Sequence, residues 1–326
     1  MTARTPSPPA EESTASEAPD ASTADYPVVG VDLGGTAIKA ALFHGHSAVA
    51  RLHRPTPVDG GPDAVVRAVV DTVAALGGAP RAVGVAVPGI VDEERGVARH
   101  SVNLGWRDLE LAEILRRETG LPVALSHDIR AGALAEARLG AARGCQDALF
   151  VAVGTGVAGA ALVDGRWLRA GGYAGELGHV PVRRPGLPCA CGGSGCLETV
   201  VSSPAVARAY RERTGRAAAG AAEVVLALAA ADPDAERVWA AMTDALADAL
   251  AMTVGLLAPE VVVLGGGVSQ AGALLVGPVA ARLERLLTFQ RRPRLLVAEL
   301  GDQAGCVGAA LRARDVSLHP TAGATA

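Results

Sequence analysis

Two stretches of the chain share a pattern of apolar runs interrupted by glycine. In VVGVDLGGTAIKAALF, apolar residues at 28–31 and 38–43 flank a glycine break at 34–35. In LFVAVGTGVAGAALV, the same pattern recurs around residues 154–156. Short β-prone runs on both sides of a glycine turn predict a strand–turn–strand hairpin. The repetition predicts two similar α/β lobes, each with one hairpin facing a shared ligand.

The rest of the pattern alternates between strands and helices. A third glycine cluster, at 265–267, ends the β-branched run EVVVLGGG between two helical stretches, the first of which covers 234–257. RAVGVAVPGIVD predicts a buried strand with a Pro-Gly turn, and a helix is expected over 109–119. LPVALSHDIRAGALAEARLG predicts a strand followed by a helix that begins near Asp128. An Asp there is often an N-cap. A catalytic role is compatible with capping, because the helix dipole favours the carboxylate.

The glycine turns suggest phosphate binding without a standard nucleotide motif. Neither a Walker loop nor a Rossmann fingerprint is present. Backbone N–H groups in a glycine turn can nevertheless approach an anion closely, because no Cβ intervenes. Asp32 ends the first strand, where its carboxylate can hold a hydrated magnesium ion. Taken alone, that hairpin is equally compatible with a plain turn beside a solvated Asp. The second hairpin has no matching acid, so metal binding is expected to be asymmetric.

Three of the five cysteines lie close together in ELGHVPVRRPGLPCACGGSGCLE, residues 176–198. Closely spaced cysteines in a reducing compartment are more often metal ligands or catalytic thiols than disulfides. One imidazole and three thiolates would complete a closed tetrahedral zinc shell, and the candidate ligands are His179, Cys189, Cys191 and Cys196. An incidental thiol-rich loop is the alternative. Cys145 and Cys306 stand apart and are expected to be small buried apolar residues.

Composition and charge exclude several classes of protein. A chain of 326 residues is long enough for two compact lobes. Its net charge of −4 offers no basic field for nucleic acid, and no apolar run approaches the roughly 20 residues of a membrane span. Residues 1–26 lack the apolar core of a secretory signal and have the composition of a disordered tail. We expect a cytoplasmic protein in which removal of residues 1–25 leaves stability unchanged.

Six segments, in this order, make the chain resemble the ROK family: DLGGTAIKAAL, AVPGIVD, HDIRAGALAE, AVGTGVAGAAL, ELGHVPV and CACGGSGCLE. The family comprises bacterial glucokinases, related hexose and N-acetylhexosamine kinases, and sugar-responsive repressors. The resemblance, to its zinc-containing branch, implies a two-lobed actin/hexokinase-like (ribonuclease H-like) α/β ATPase fold with a cleft between lobes. The implied small lobe covers 27–126 and is completed by a C-terminal helix at 303–315. The large lobe covers 127–302 with the zinc loop at 176–198, and 316–326 form a second disordered tail.

The resemblance also implies a role for each matching residue. Asp128 resembles the base that takes the proton from the sugar hydroxyl, and Asp32 the acid that orients Mg²⁺ bound with ATP. The phosphate and adenosine motifs correspond to Gly34, Gly35, Thr36, Lys39, Gly154, Thr155, Gly156, Gly265, Gly266 and Gly267. The sugar contacts correspond to Asn103, His127, Asp128, Glu176, His179 and Glu198. The zinc ligands are the four residues already proposed from spacing.

Two residues depart from the family pattern and affect substrate choice. His127 precedes Asp128 where an Asn is usual, and Arg130 stands where a second Asn is common. The favoured interpretation is an ATP-dependent glucokinase. The alternatives are a kinase for N-acetylmannosamine, N-acetylglucosamine or fructose, a polyphosphate-dependent kinase, or a sugar sensor that does not bind DNA. A repressor is disfavoured because only about 26 residues precede the first hairpin, too few for a winged helix. Analogy with the family suggests a homodimer or homotetramer.

Overall fold

The structure is a computed structural model that describes residues 26–318. The predicted disordered segments at 1–25 and 319–326 lie outside the described residues. Two tail boundaries are corrected. The Tyr26 hydroxyl bonds to Ser317 and its ring packs against the Arg81 guanidinium, 5.0 Å from the ring centroid. Residues 316–318 continue the last helix, and the bond between Tyr26 and Ser317 holds its end against the start of the first strand.

The first sheet has the strand order β3-β2-β1-β4-β8. Its hairpin strands are antiparallel, whereas β1, β4 and β8 run parallel. A small antiparallel sheet, β5-β6-β7, is inserted between β4 and α2. The elements of this half are β1 (Val28–Leu33), β2 (Ala37–His44), β3 (Ser47–Pro55), α1 (Gly61–Leu76), β4 (Val83–Val87), β5 (Ile90–Asp92), β6 (Val97–Ser101), β7 (Trp106–Leu109), α2 (Leu111–Thr119), β8 (Val123–His127) and α3 (Asp128–Leu139).

The second sheet repeats this design with the order β11-β10-β9-β12-β13. Here too the hairpin is antiparallel and β9, β12 and β13 run parallel. The predicted duplication of the hairpin is therefore confirmed. Its elements are β9 (Ala148–Val153), β10 (Val157–Val163), β11 (Arg166–Trp167), α4 (Glu198–Val201), α5 (Ser203–Thr214), α6 (Ala221–Ala229), α7 (Pro233–Leu257), β12 (Val261–Gly265), α8 (Ala273–Leu286), β13 (Arg294–Val297) and α9 (Ala304–Leu318).

Helix α9 brings the C-terminal end of the chain back to the first sheet and packs closely against α3. A Cβ on Gly84 would lie 1.8 Å from the Ala309 carbonyl oxygen, and one on Gly308 would lie 1.8 Å from the Ala131 carbonyl oxygen. These glycines let α9 touch the backbones of both β4 and α3. The two helices thus connect the sheets, and the implied lobe boundary at 126/127 falls inside β8.

Within the described residues, α7 is the one helix with the length and apolar composition to cross a membrane. This corrects the expectation that no such stretch exists. The apolar character of α7 is explained by packing, because Trp239, Leu246 and Leu250 are buried against the second sheet and its helices. The predicted helix at 109–119 begins instead at Leu111, since residues 106–109 form strand β7.

Candidate active site

Asp128 lies where the parallel strand β8 ends and helix α3 begins. Because β1, β4 and β8 run parallel and in register, Asp32 near the end of β1 lies at the same sheet edge. The N-cap position of α3 belongs to His127, whose Nδ1 accepts the Ile129 N–H at 3.2 Å. Asp128 Oδ1 accepts the same N–H at 2.7 Å from the first helical position. The N-cap of α3, for which Asp128 was one candidate from sequence, is therefore His127.

The Asp128 carboxyl is partly enclosed by protein. Solvent reaches 30% of its side chain, while protein surrounds it on the other sides. Burial raises the pKa of Asp128 to about 7, and the charges of Asp32 and Glu176 add to the rise. The Ile129 N–H and the Arg130 guanidinium oppose it. A carboxyl that titrates near neutral pH is suited to accepting a proton from a substrate.

The neighbouring His127 is buried and electrically neutral. Only 7% of the residue is exposed. Burial lowers the pKa of His127 to about 4, with Arg130 adding to the decrease and Glu93 opposing it. Because Nδ1 accepts the backbone N–H of Ile129, the neutral ring carries its proton on Nε2. His127 therefore offers a donor from the far side of its ring.

Asp32 lies against the N-terminal end of α9. A Cβ on Gly305 would lie 2.6 Å from an Asp32 carboxylate oxygen, so glycine is needed for this approach. Burial raises the pKa of Asp32, and the positive charge of its cross-strand partner Lys39 opposes the rise. The Lys39 ammonium also lies 3.7 Å from the Asp302 carboxylate. Lys39 thus sits beside Asp32 with a second acid within reach.

The turn of the first hairpin adjoins a predicted sugar contact. The Gly34 N–H donates to the Ala37 carbonyl at 2.9 Å, which closes the turn. A Cβ on Gly35 would lie 3.2 Å from the Cβ of Asn103, which is carried between β6 and β7. The side chain of Thr36, at the tip, is exposed. The first phosphate motif and Asn103 are therefore next to each other.

The second hairpin turn and the third glycine cluster also meet. The Gly154 N–H donates to the Gly156 carbonyl at 2.9 Å, and Thr155 at the tip is exposed. A Cβ on Gly266 would lie 2.5 Å from the Val153 carbonyl oxygen, and the Cβ position of Gly154 lies 3.8 Å from the Gly267 nitrogen. Gly265 ends strand β12, which is paired with β9. The two motifs thus form one backbone-lined surface.

Glu198 connects this surface to the cysteine-rich loop. Its Oε2 accepts the Val157 N–H at 2.9 Å and would meet a Cβ on Gly156 at the same distance. Glu198 is the first residue of α4, two positions after Cys196. The structure therefore places this carboxylate beside the second phosphate turn, and its contact with a sugar stays a prediction.

The four predicted zinc ligands converge. One donor atom from each of His179, Cys189, Cys191 and Cys196 lies within 4.8 Å of the other three. The Cys191 and Cys196 sulfurs are 3.7 Å apart, and the Cys189 sulfur is 3.6 Å from Nδ1 of His179. Tetrahedral zinc with bonds of about 2.3 Å would separate neighbouring sulfurs by about 3.8 Å. The donor set fits zinc in type, number and spacing.

The two ring nitrogens of His179 have different neighbours. Its Nδ1 points to the cysteines, while Nε2 lies 3.8 Å from Oε2 of Glu176. Glu176 precedes a short 3₁₀ turn over Leu177–His179, and His179 is the last residue of that turn. The loop that gathers the metal donors therefore also fixes the position of Glu176.

Sequence reasoning missed a group of residues behind Asp128. Glu93 accepts hydrogen bonds from Ser126, the His127 N–H and Arg130. Arg130 was noticed only as a departure from a pattern, and Glu93 was not singled out. No spacing rule connects the two positions, because Glu93 lies in the turn after β5 and Arg130 lies in α3, and the packing of β5 against β8 brings them together.

Comparison with known proteins identifies the relationship. The ROK family model matches residues 28–316. The chain belongs to the ROK family. It is 34% identical to a glucokinase of Halalkalibacterium halodurans over 305 residues, covering 86% of this chain and 92% of that protein.

Solved structures of ROK proteins share the two-lobed fold. The ROK hexokinase from Thermus thermophilus superposes with a TM-score of 0.78 at 36% identity, covering 91% of this chain and 100% of that one. A ROK family glucokinase from Streptomyces griseus, in complex with glucose and AMPPNP, gives a TM-score of 0.78 at 30% identity. The match covers 89% of this chain and 99% of that one. This ROK chain thus has the actin/hexokinase-like architecture that its motifs imply.

Proposed function

We propose that this ROK protein is an ATP-dependent hexose kinase that acts on glucose. The observation that carries the proposal is the Asp128 carboxyl, held at the β8–α3 junction in the cleft with its pKa raised to about 7. The glycine turns beside it supply backbone donors for a phosphate chain. The similarity to glucokinases over most of the chain supports the same conclusion.

The reaction follows from this arrangement. Asp128 accepts the proton of a sugar hydroxyl, whose oxygen forms a bond to the γ-phosphorus of ATP. The bond between that phosphorus and the β–γ bridging oxygen breaks, and ADP leaves. The N–H groups at 35–36 and 155–156, next to the two that close the turns, orient the phosphates, since phosphoryl transfer depends mainly on positioning and charge neutralisation. Asp32 would hold the Mg²⁺ that accompanies ATP and neutralises phosphate charge.

The cysteine-rich loop has a structural role in this proposal. Its four protein ligands would hold one Zn²⁺ and leave no coordination position for substrate, so the ion supplies rigidity rather than Lewis acidity. The carboxylates of Glu176 and Glu198 are then in place before the sugar arrives. We assign the sugar hydroxyls to Asn103, His127, Glu176, His179 and Glu198.

A coupled ADP-release assay with a panel of sugars tests the proposal. Wild-type protein is expected to phosphorylate glucose. Asp128→Asn should lower kcat by about 10²–10⁴-fold, because the general base is lost, while glucose binding measured by calorimetry persists. Asp63→Asn, an exposed acid in α1, is the matched control and should behave as wild type. An Asp128→Asn enzyme that keeps more than half of the wild-type kcat would exclude the assigned base.

The same panel decides between the alternatives. N-acetylmannosamine, N-acetylglucosamine and fructose test other acceptors, and polyphosphate tests another donor. Sugar binding without release of ADP from any pair would instead indicate a sensor. The homo-oligomeric state remains a prediction from family analogy, which light scattering of the purified protein tests.

A further inference from the structure

A buried ion pair lies directly beside the proposed base. The Glu93 and Arg130 side chains are each only 4% exposed, and Arg130 Nε donates to Glu93 Oε1 at 2.7 Å. The same oxygen accepts the Ser126 hydroxyl and the His127 N–H, both at 3.0 Å. The other carboxylate oxygen lies 3.3 Å from Nε of Arg169. Glu93 therefore holds the last two residues of β8, immediately before Asp128.

Arg130 extends this network to the segment that leads to Glu176. One terminal nitrogen donates to the Val91 carbonyl at 3.2 Å, and the other approaches the Ala174 carbonyl at 3.5 Å. Ala174 lies two residues before Glu176, on the segment that leads into the zinc loop. One guanidinium thus joins the strand–helix junction, the segment that follows β5 and the loop that carries Glu176.

The energetics suggest that stability alone does not explain the pair. A buried ion pair is costly to desolvate and can often be replaced by neutral residues with little loss of stability, whereas removal of one partner is strongly destabilising. Its distinctive property is geometric, because the planar guanidinium fixes several acceptors at once. Here the guanidinium belongs to the helix that begins with Asp128. Its acceptors lie in β5, on Glu93 just after β5 and in the segment that leads to Glu176.

We propose that the Glu93–Arg130 pair positions Asp128 relative to the Glu176 loop and thereby controls turnover. The proposal rests on the kinase function proposed above and adds two positioning residues to it. Misplacement of a reacting group by about 1 Å can cost about 10²-fold in rate. The pair therefore matters for kcat beyond its effect on folding.

The charge of Arg130 also gives an independent readout. The groups that act on the Asp128 carboxyl are Asp32, Glu176 and Arg130, with the His127 ring 3.2 Å away. Arg130 lowers the pKa of both Asp128 and His127, and Glu93 opposes it at His127. Removal of the Arg130 charge should therefore raise both values. The acid limb of the kcat/KM profile would move to higher pH.

The test compares Arg130→Met, Arg130→Lys, Glu93→Gln and the double variant Glu93→Gln/Arg130→Met. Arg130→Met should lower kcat by about 10²-fold, raise KM for glucose, leave KM for ATP nearly unchanged and shift the acid limb upward. Arg130→Lys keeps the positive charge and loses the planar arrangement of several N–H donors. The value of kcat should therefore fall while the acid limb stays at the same pH. Arg213→Met, which removes an ion pair with Asp234 remote from the cleft, is the control.

The double variant separates positioning from folding. Its Tm should recover toward wild type, because neither buried charge is left alone, while its kcat stays low. Recovery of Tm and kcat together would make the pair merely structural and overturn the inference. If Arg130→Met does not fold, Arg130→Lys and Glu93→Gln decide, and wild-type kcat in both would overturn it.

Nuclear magnetic resonance of the His127 ring supplies a readout besides activity. The pKa of His127 should rise in Arg130→Met, which removes the Arg130 charge and keeps that of Glu93. An unchanged titration in that variant would contradict the electrostatic part of the inference. If the wild-type protein is active and the variants keep its kcat and its pH profile, the inference is overturned and the proposed function is not. Wild-type protein that is inactive toward every sugar would overturn the proposed function and the inference together.

Discussion

At Asp128, the surroundings that suit a proton acceptor also oppose the charged form. The pKa of its carboxyl is raised from 3.8 to about 7 by burial, so kcat/KM should rise with pH through about 7. Stability should change in the opposite direction. The carboxyl contributes stability fully below pH 3.8, and this is lost as pH rises through about 7. Asp128→Asn should remove this decrease, as urea unfolding at several pH values would show. A flat kcat/KM profile between pH 5 and 8, or an unchanged stability profile in Asp128→Asn, would contradict the assignment.

His127 offers a second prediction at the residue scale. Its Nδ1 is used by the helix N-terminus, which leaves the Nε2 donor for a sugar hydroxyl. Asn is also a good N-cap, so His127→Asn should preserve the helix while changing the contact. Loss of one buried polar match costs on the order of 1–3 kcal/mol. We expect the kcat/KM ratio between glucose and its epimers to change, with milder effects on ATP. If kcat/KM falls by the same factor for every sugar, His127 supports the base and does not contact the sugar selectively.

The residues that sequence could identify are those in local motifs. Asp32, Asp128 and the four zinc donors stand in short segments whose residue types and spacing carry the chemistry. The Glu93–Arg130 pair could not be found in this way. The two residues are 37 positions apart, and their contact depends on how β5 packs against β8 and the start of α3.

Among the elements, the cysteine-rich loop is the one for which we propose that a single bound metal ion sets the structure. It has little regular structure, and its four candidate donor atoms lie within 4.8 Å of one another. Purified protein should contain close to one zinc per chain. Cys191→Ser should lower both zinc content and glucose affinity, because the loop also holds Glu176 and Glu198. Cys145→Ser makes the same chemical change outside the cluster and is the control. Active enzyme without zinc, shown by elemental analysis, would refute the role of the metal.

The sequence predicted the two hairpins, but it did not predict the small sheet formed by β5, β6 and β7. The hairpins combine apolar runs with glycine turns, so local sequence specifies them. Strands β5, β6 and β7 have only three to five residues each and mixed polarity. Such strands form because tertiary contacts supply what local propensity lacks. The start of α2 was misplaced for the same reason.

For the whole molecule, the repeated strand order gives each sheet one antiparallel hairpin with a glycine turn. The repeat was visible in sequence because each copy keeps the strand–turn–strand pattern. The return of α9 to the first sheet followed only from the family resemblance. Its close contacts involve Gly84 and Gly308, whose importance depends on neighbours that are distant along the chain.

The α3–α9 contact leads to a prediction about the connection between the sheets. Gly308→Ala would place a methyl group 1.8 Å from the Ala131 carbonyl oxygen if nothing moved. The helices must separate, and overpacking of this kind typically costs about 1–3 kcal/mol. Gly255→Ala is the matched control, because that glycine is exposed in α7 and its Cβ would meet nothing within 4 Å. The free energy of unfolding of this control should increase by about 0.5–1 kcal/mol, because Ala has a higher helix propensity than Gly. Urea unfolding measures both, and kcat should fall only in Gly308→Ala, since α3 begins with the proposed base. Equal stabilisation of the two variants would show that the sheets are not joined through this contact.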